Sequence, residues 1–169
     1  MLKRDEFQEA MARFAGAVTI VTTSQDDQLI GMVATSVCSL SADPPSLVAC
    51  INKGTSAHDP ILKTRTFAVS LLSDDQDLLV RHFMSAKGAQ RFSKGTWDTL
   101  VTGSPVVQGA IAVFDCELLD SYDGFSHTIL IGKIVDMRLS ENAGAASCLL
   151  WHKRDFAKVV LHSQRELSP

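Results

Sequence analysis

Apolar residues in this chain fall into short runs bounded by polar or turn-forming residues, not into long helical stripes. Ala17–Thr23, Leu29–Val37, Ser46–Ile51, Phe67–Leu72, Ile111–Leu119 and His127–Val135 are each apolar or β-branched, and each predicts a strand. Cys148–Trp151 and Phe156–Leu161 are strand-like as well. The polar turn Ser24–Gln28 sets the first two strands antiparallel. Ser39–Pro45 is a tight polar crossing whose two prolines, lacking N–H donors, mark the entry to the next strand. Asp120–Gly124 joins the two strongest strands.

Helical spacing is confined to three places. Phe7, Ala10, Met11 and Phe14 recur at i, i+3, i+4 and i+7, which predicts a helix over 5–15, ended by Gly16, with Phe7, Met11 and Phe14 as a packing face within the chain or at a dimer interface. A short helix over Ser56–Lys63 tolerates Pro60 in its first turn. Ser73-x-x-Gln76 has the form of a capping box opening a helix to Met84, with Leu78, Leu79, His82 and Phe83 on one side. Residues 85–105 are the least regular stretch; a connection of that length is a functional loop or a disordered one, and Arg91-Phe92 and Trp97 favour the functional option. A turn or short helix is expected near Ala143–Ala146, and the polar tail from His162 is expected to fray.

This is a mainly β pattern with peripheral helices. Strands do not alternate with helices, so a doubly wound parallel sheet is excluded in favour of a closed antiparallel barrel. At 169 residues, residues 1–169 read as a single domain. A net charge of -3 argues against a nucleic-acid partner. The apolar runs are too short to span a bilayer, and the acid-bearing start is not that of a secretory leader. Cys38, Cys50, Cys116 and Cys148 show no C-x-x-C pair, so free thiols in a reducing cytoplasm are expected.

Most catalytic signatures are absent. There is no G-x-G-x-x-G, no Walker A sequence and no H-E-x-x-H among the five histidines, and no metal is expected. Gly54–His58 and Gly124–Thr128 both miss the last glycine of G-x-S-x-G, and no carboxylate pair stands out. What remains is Asn52-Lys53-Gly54-Thr55-Ser56, directly after a strand. Its backbone N–H groups, hydroxyls, amide and ammonium suit an anion such as a phosphate, with Asn52, Lys53 and Ser56 as the ligand set; helix capping would use the same residues.

Gly31-Met32-Val33-Ala34-Thr35-Ser36-Val37-Cys38-Ser39-Leu40-Ser41, followed by Asp43-Pro44-Pro45-Ser46-Leu47, resembles the signature of the short-chain flavin reductases. These are the reductase components of two-component flavin-dependent monooxygenases, such as 4-hydroxyphenylacetate 3-monooxygenase. The similarity continues in order through Cys50-Ile51-Asn52, Ser56, Arg81-His82-Phe83, Arg91-Phe92, Gly103-x-Pro105, His127…Gly132 and Trp151-His152-Lys153-Arg154-x-Phe156. The chain departs from the family pattern at Val33, where Thr is common, and at Gly124-Phe125-Ser126-His127, which is one residue longer than the usual Gly-x-His.

The resemblance implies an FMN-binding split β-barrel of Greek-key antiparallel strands, a homodimer, and hydride transfer from NADH or NADPH to FMN or FAD. It implies flavin contacts from Val33, Ala34, Thr35 and Ser36 to the ring edge and ribityl chain, and from Ser39 and Cys50 nearby. Ser39 could equally be a turn residue. Arg91 is implied as a second phosphate ligand, reaching a flavin held mainly by the partner subunit, and Phe92 as a ring cover or a loop anchor. His127 would orient the nicotinamide or serve as a structural hydrogen-bonding residue. Trp151, Arg154 and Phe156 would close the nicotinamide pocket, unless the two aromatics are core. Hydride transfer needs no protein nucleophile, which agrees with the missing acid/base set.

The expected activity is therefore an NAD(P)H:flavin oxidoreductase that hands reduced flavin to a separate monooxygenase, with no membrane or nucleic-acid partner. The competing reading is a flavin- or haem-binding carrier or sensor without turnover. A pyridoxamine-phosphate-oxidase-like enzyme is a third, disfavoured by Asp43-Pro44-Pro45 and Arg91-Phe92. NADH against NADPH and FMN against FAD stay open, because no Rossmann acidic residue is present to read the ribose.

Overall fold

The computed structural model describes residues 3–141 and 146–160. In chain order these form α1 (Arg4–Met11), β1 (Gly16–Ala17), β2 (Thr19–Gln25), β3 (Gln28–Ala34), β4 (Val37–Ala42) and β5 (Pro45–Asn52). Then come α2 (His58–Thr64), β6 (Thr66–Leu71), α3 (Asp77–Ser85), a 3-10 segment (Gly88–Ser93), β7 (Trp97–Thr99) and β8 (Pro105–Val107). The chain continues through β9 (Ala112–Gly124), β10 (His127–Leu139), β11 (Leu149–His152) and β12 (Asp155–Lys158). Among the described residues, no helix is long and apolar enough to cross a membrane.

Seven strands make one antiparallel sheet in the order β3-β2-β6-β9-β10-β5-β4. Among the described residues its two edge strands, β3 and β4, are not paired with each other, so the expected closed barrel is not formed there. The sheet nevertheless curls. Met32 and Ala34 near one edge share a single core with Leu47, Ala49 and Ile51 near the other. The bend falls at register shifts in β10 beside Gly132, where a Cβ would stand 2.5 Å from Phe67 Cζ. Only glycine leaves room there for the Phe67 ring.

A second core lies on the opposite face of β2 and β6. Ile20, Ala68 and Leu72 meet Val80 and Phe83 of α3, Val106 of β8 and Leu149 of β11. With apolar layers on both sides, β2 is buried almost throughout, which explains why its sequence does not alternate. Phe67 and Phe83 are fully buried, each worth about 2–3 kcal/mol of apolar transfer.

The α1 stripe, expected to pack within the chain or at a dimer interface, is exposed in the single chain: Phe7, Met11 and Phe14 are exposed, Phe14 at 70 %. Other expectations are corrected. The helix stops at Met11, and Gly16 opens β1. The run Leu29–Val37 breaks after Ala34 into β3 and β4, and most of the polar crossing is edge strand β4, because an exposed edge accepts short polar side chains. Likewise Asp120–Gly124 belongs to β9, and a two-residue turn, Phe125–Ser126, joins it to β10.

The capping box is half formed. Ser73 N–H donates to Gln76 Oε1 at 3.1 Å, but the Ser73 hydroxyl turns to Asp75, and α3 starts at Asp77. Its buried face is Val80 and Phe83, whereas Leu78 is 73 % exposed. Residues 85–105 carry the 3-10 segment and β7, which pairs with β8. The turn expected near Ala143–Ala146 and the fraying tail lie largely or wholly outside the described residues.

Candidate functional site

A cavity of about 710 Å³ opens between the end of β3, the β5–α2 loop and the 3-10 segment, well within the size of small-molecule sites. Strand β3 supplies one wall: Met32, Val33, Ala34 and the following Thr35. Successive residues of a strand face opposite ways, but at this free edge both directions reach the hollow. Gly54, Thr55 and Ser56 form the second wall. The loop is folded by its own polar groups: Gly54 N–H donates to Asn52 Oδ1 at 2.8 Å. The Thr55 hydroxyl lies 2.8 Å from the Asn52 carbonyl and 3.4 Å from Met32 Sδ, which ties the loop to β3.

The third wall is Phe83, Met84, Lys87, Gly88 and Arg91. Arg91 is half-buried; its Nε donates to the Ala86 carbonyl at 3.1 Å and its Nη1 donates to the Gly31 carbonyl. The guanidinium also stands 5.6 Å from the Phe83 ring centroid. Phe92 beside it points away from the cavity and packs on Phe83 and Trp97, with centroids 5.3 Å and 4.7 Å away. Trp151 and Phe156 close the fourth side edge-to-face, 5.2 Å apart, and Arg81 lies 4.6 Å over Phe156.

Of the residues singled out in the sequence, Val33, Ala34, Thr35, Ser56, Arg91, Trp151 and Phe156 line one cavity. The others stand elsewhere. The Ser36 carbonyl accepts from Cys50 N–H at 2.9 Å, and Ser39 is exposed on β4. Cys50 is half-buried on β5, its thiol pushed up chiefly by burial and secondarily by Cys38. Lys53 bonds Asp123 across the hairpin, and this ion pair holds the Asp123 carboxyl below its usual range. Lys53 is thus committed to β9 rather than to the hollow.

His127 pairs in register with Asn52, and its Nδ1 lies 2.9 Å from the Ser126 hydroxyl, outside the cavity lining. Arg154 donates to Glu9 at 2.8 Å, clamping the β11–β12 turn to α1. Neither Phe125 nor residues 85–105 plug the hollow: Phe125 is 92 % exposed at the hairpin tip, and the 3-10 segment forms a wall.

Lining residues that sequence reasoning passed over are Val18, Met32, Phe83, Met84, Lys87 and Gly88, with Gly54 and Thr55. Gly54 and Thr55 were within the anion-suited loop, and Lys87-Gly88 within the long irregular stretch. Met32 and Phe83 stood inside motifs of the family resemblance, whereas Val18 and Met84 carried no signal beyond their hydrophobicity.

The lining is of two chemical kinds. Val18, Met32, Val33, Ala34 and Phe83 offer an apolar slot with small side chains at Ala34 and Thr35, suited to a flat ring. Ser56, Lys87 and Arg91 offer a hydroxyl and two cations, suited to phosphate. Among the described residues no carboxylate lines it, so a polyanion meets no repulsion from those walls. The donors therefore fit a flavin nucleotide.

Comparison with known proteins agrees. The Flavin reductase like domain family matches residues 11–159. An Agrobacterium fabrum protein named FMN reductase (NADH) RutF is 36 % identical over 150 residues, covering 88 % of this chain and 85 % of its own. Among solved structures, the Streptomyces globisporus NADH:FAD oxidoreductase SgcE6, in complex with NAD and FAD fragments, superposes with a TM-score of 0.87 at 28 % identity, covering 96 % of each chain. BorF, the flavin reductase component of a bacterial two-component tryptophan halogenase, gives a TM-score of 0.82 at 26 % identity over 93 % of this chain and 98 % of its own.

Proposed function

The chain belongs to the Flavin reductase like domain family: it is a flavin reductase, and we propose that the cavity beside β3 is where FMN or FAD meets NADH. One observation carries this assignment, namely one hollow whose lining combines apolar Met32, Val33 and Ala34 with Ser56, Lys87 and Arg91. The flavin supplies the hydride acceptor and the nicotinamide the donor. The chain's own part is positional. Met32, Val33 and Phe83 keep water from the ring. Ala34 and Thr35 leave room for close approach. Ser56 donates a hydroxyl, and Lys87 and Arg91 balance phosphate charge. Trp151 and Phe156 face the space left for a second ring, which matches a reaction needing two stacked rings and no acid or base.

The curled sheet with unpaired edges supports a split barrel as its finer description. The exposed Phe7, Met11 and Phe14 are the apolar positions a homodimer would cover. Reduced flavin would pass to a separate oxygenase, as the resemblance to a two-component system suggests. Four free cysteines fit a reducing cytoplasm. NADH with FMN is the pair assigned first. Steady-state loss of nicotinamide absorbance, compared over the four pairs of NADH or NADPH with FMN or FAD, tests it. Flavin retained through gel filtration with no turnover for any pair would instead favour a carrier.

A further inference from the structure

The β5–α2 loop that brings Gly54, Thr55 and Ser56 to the cavity is fastened at both ends to the β9–β10 hairpin. At its start Asn52 pairs in register with His127, and Lys53 N–H donates to the Ser126 carbonyl at 3.0 Å. At its end Ala57 is fully buried, and His58, the first residue of α2, reaches across to β10. His58 Nε2 lies 2.8 Å from the Thr128 hydroxyl, and its Nδ1 lies 2.6 Å from Asp59 Oδ1. His58 itself does not line the cavity.

The two ring nitrogens have different partners. A carboxylate only accepts, so in the neutral imidazole Nδ1–H donates to Asp59 and Nε2 accepts from the Thr128 hydroxyl. The Asp59 side chain is 93 % exposed, whereas that of His58 is 11 % exposed and Thr128 is buried. The bond across to β10 is therefore the one sheltered from water. His58 N–H also donates to the Thr55 carbonyl at 3.3 Å, and the Thr55 hydroxyl lies 3.4 Å from Met32 Sδ on β3. The stretch from Thr55 to His58 is thus strung between β3 and β10, with Ser56 inside it.

We propose that His58 is a positioning residue for flavin phosphate: by holding Thr128 it sets where the Ser56 hydroxyl stands. This rests on the flavin-reductase reading of the cavity, in which Ser56 donates to that phosphate. His58 lies outside the space for the two rings, so its loss weakens flavin capture and leaves hydride transfer alone. A raised KM with kcat intact is the mark of an interaction made equally before and during the chemical step.

His58→Phe keeps a ring and loses both bonds, and Thr128→Val removes the sheltered bond from the other side in case His58→Phe fails to fold. Steady-state kinetics with FMN and NADH are measured for both, for Ser56→Ala, and for Ser56→Ala combined with each. Either substitution alone raises the KM for FMN about fivefold, with kcat and the KM for NADH unchanged. Because both act through Ser56, neither adds to the effect of Ser56→Ala in the combined variant. An unchanged KM for FMN in a folded variant, parallel losses in kcat and in the KM for NADH, or additive effects in the combined variant overturn the proposal. A silent Ser56→Ala defeats the phosphate reading of Ser56 first, and the role of His58 falls with it.

Discussion

Arg91 donates to the Gly31 carbonyl, a contact 60 positions apart in sequence that ties the 3-10 wall of the cavity to the β3 wall. A second bond, from Arg91 Nε to the Ala86 carbonyl, fixes the guanidinium plane. Lysine cannot make both bonds from one ammonium. Arg91→Lys is expected to lose about 1–3 kcal/mol of stability. In the same variant the KM for flavin should rise about tenfold with kcat less affected. Thermal denaturation and steady-state kinetics read the two effects separately.

The phosphate end separates Lys53 from Ser56. Lys53 is paired with Asp123 on the surface and does not line the cavity, so Lys53→Ala should change the KM for FMN by less than about twofold. Ser56 lines it, and Ser56→Ala should raise that KM about fivefold, the worth of one ordinary hydrogen bond. A larger effect from Lys53 than from Ser56 would reverse the assignment.

Phe125 occupies a left-handed backbone position, φ 65, in the two-residue turn between β9 and β10. Its ring is 92 % exposed and contributes little packing. Glycine adopts this conformation without the Cβ penalty of about 1–2 kcal/mol. Phe125→Gly is therefore expected to raise the melting temperature by roughly 2–4 °C.

Asp115 is buried in β9, where its carboxylate accepts from Thr102 N–H at 2.6 Å and from the Thr102 hydroxyl at 2.5 Å. Burial nevertheless raises its pKa above the ordinary value, outweighing those bonds, with Asp136 adding to the rise. A raised acid binds its proton more tightly folded than unfolded, so its contribution is fully present below the unfolded pKa of about 3.9 and is lost as pH climbs through the folded value. Relative to Asp115→Asn, the unaltered protein should thus lose melting temperature from about pH 4 upward and then level off. Comparing the two proteins cancels the acid-range losses from Asp98, Asp120 and Asp123, whose carboxyls are lowered by their hydrogen bonds.

Much of the site was legible in the chain because its walls are contiguous. Val33–Thr35 lie on one strand end, and Gly54–Ser56 in the loop whose donors suggested an anion. Arg91 sat in the irregular stretch that its length together with Arg91-Phe92 and Trp97 marked as a functional loop. What sequence could not supply was the partner across a hairpin. Lys53 reads as a free cation until β9 runs past Asp120 and brings Asp123 beside it. Asp120–Asp123 look like loop because this end of β9 extends beyond its pairing with β6 and is exposed, so it needs no apolar alternation. Phe92 and Phe83 are neighbours in one aromatic cluster, but only Phe83 faces the hollow, a distinction set by the 3-10 turn.

The central claim is that the hollow beside Ala34 and Thr35 holds the ring that accepts the hydride. Thr35 is exposed within it, so Thr35→Trp fills the slot without disturbing either core. The decisive measurement is FMN-dependent NADH consumption by this variant beside the unaltered protein, at matched melting temperature. The account predicts rapid consumption by the unaltered protein and near-complete loss in the variant. Equal rates from the two, or no FMN-dependent consumption by either, would contradict it.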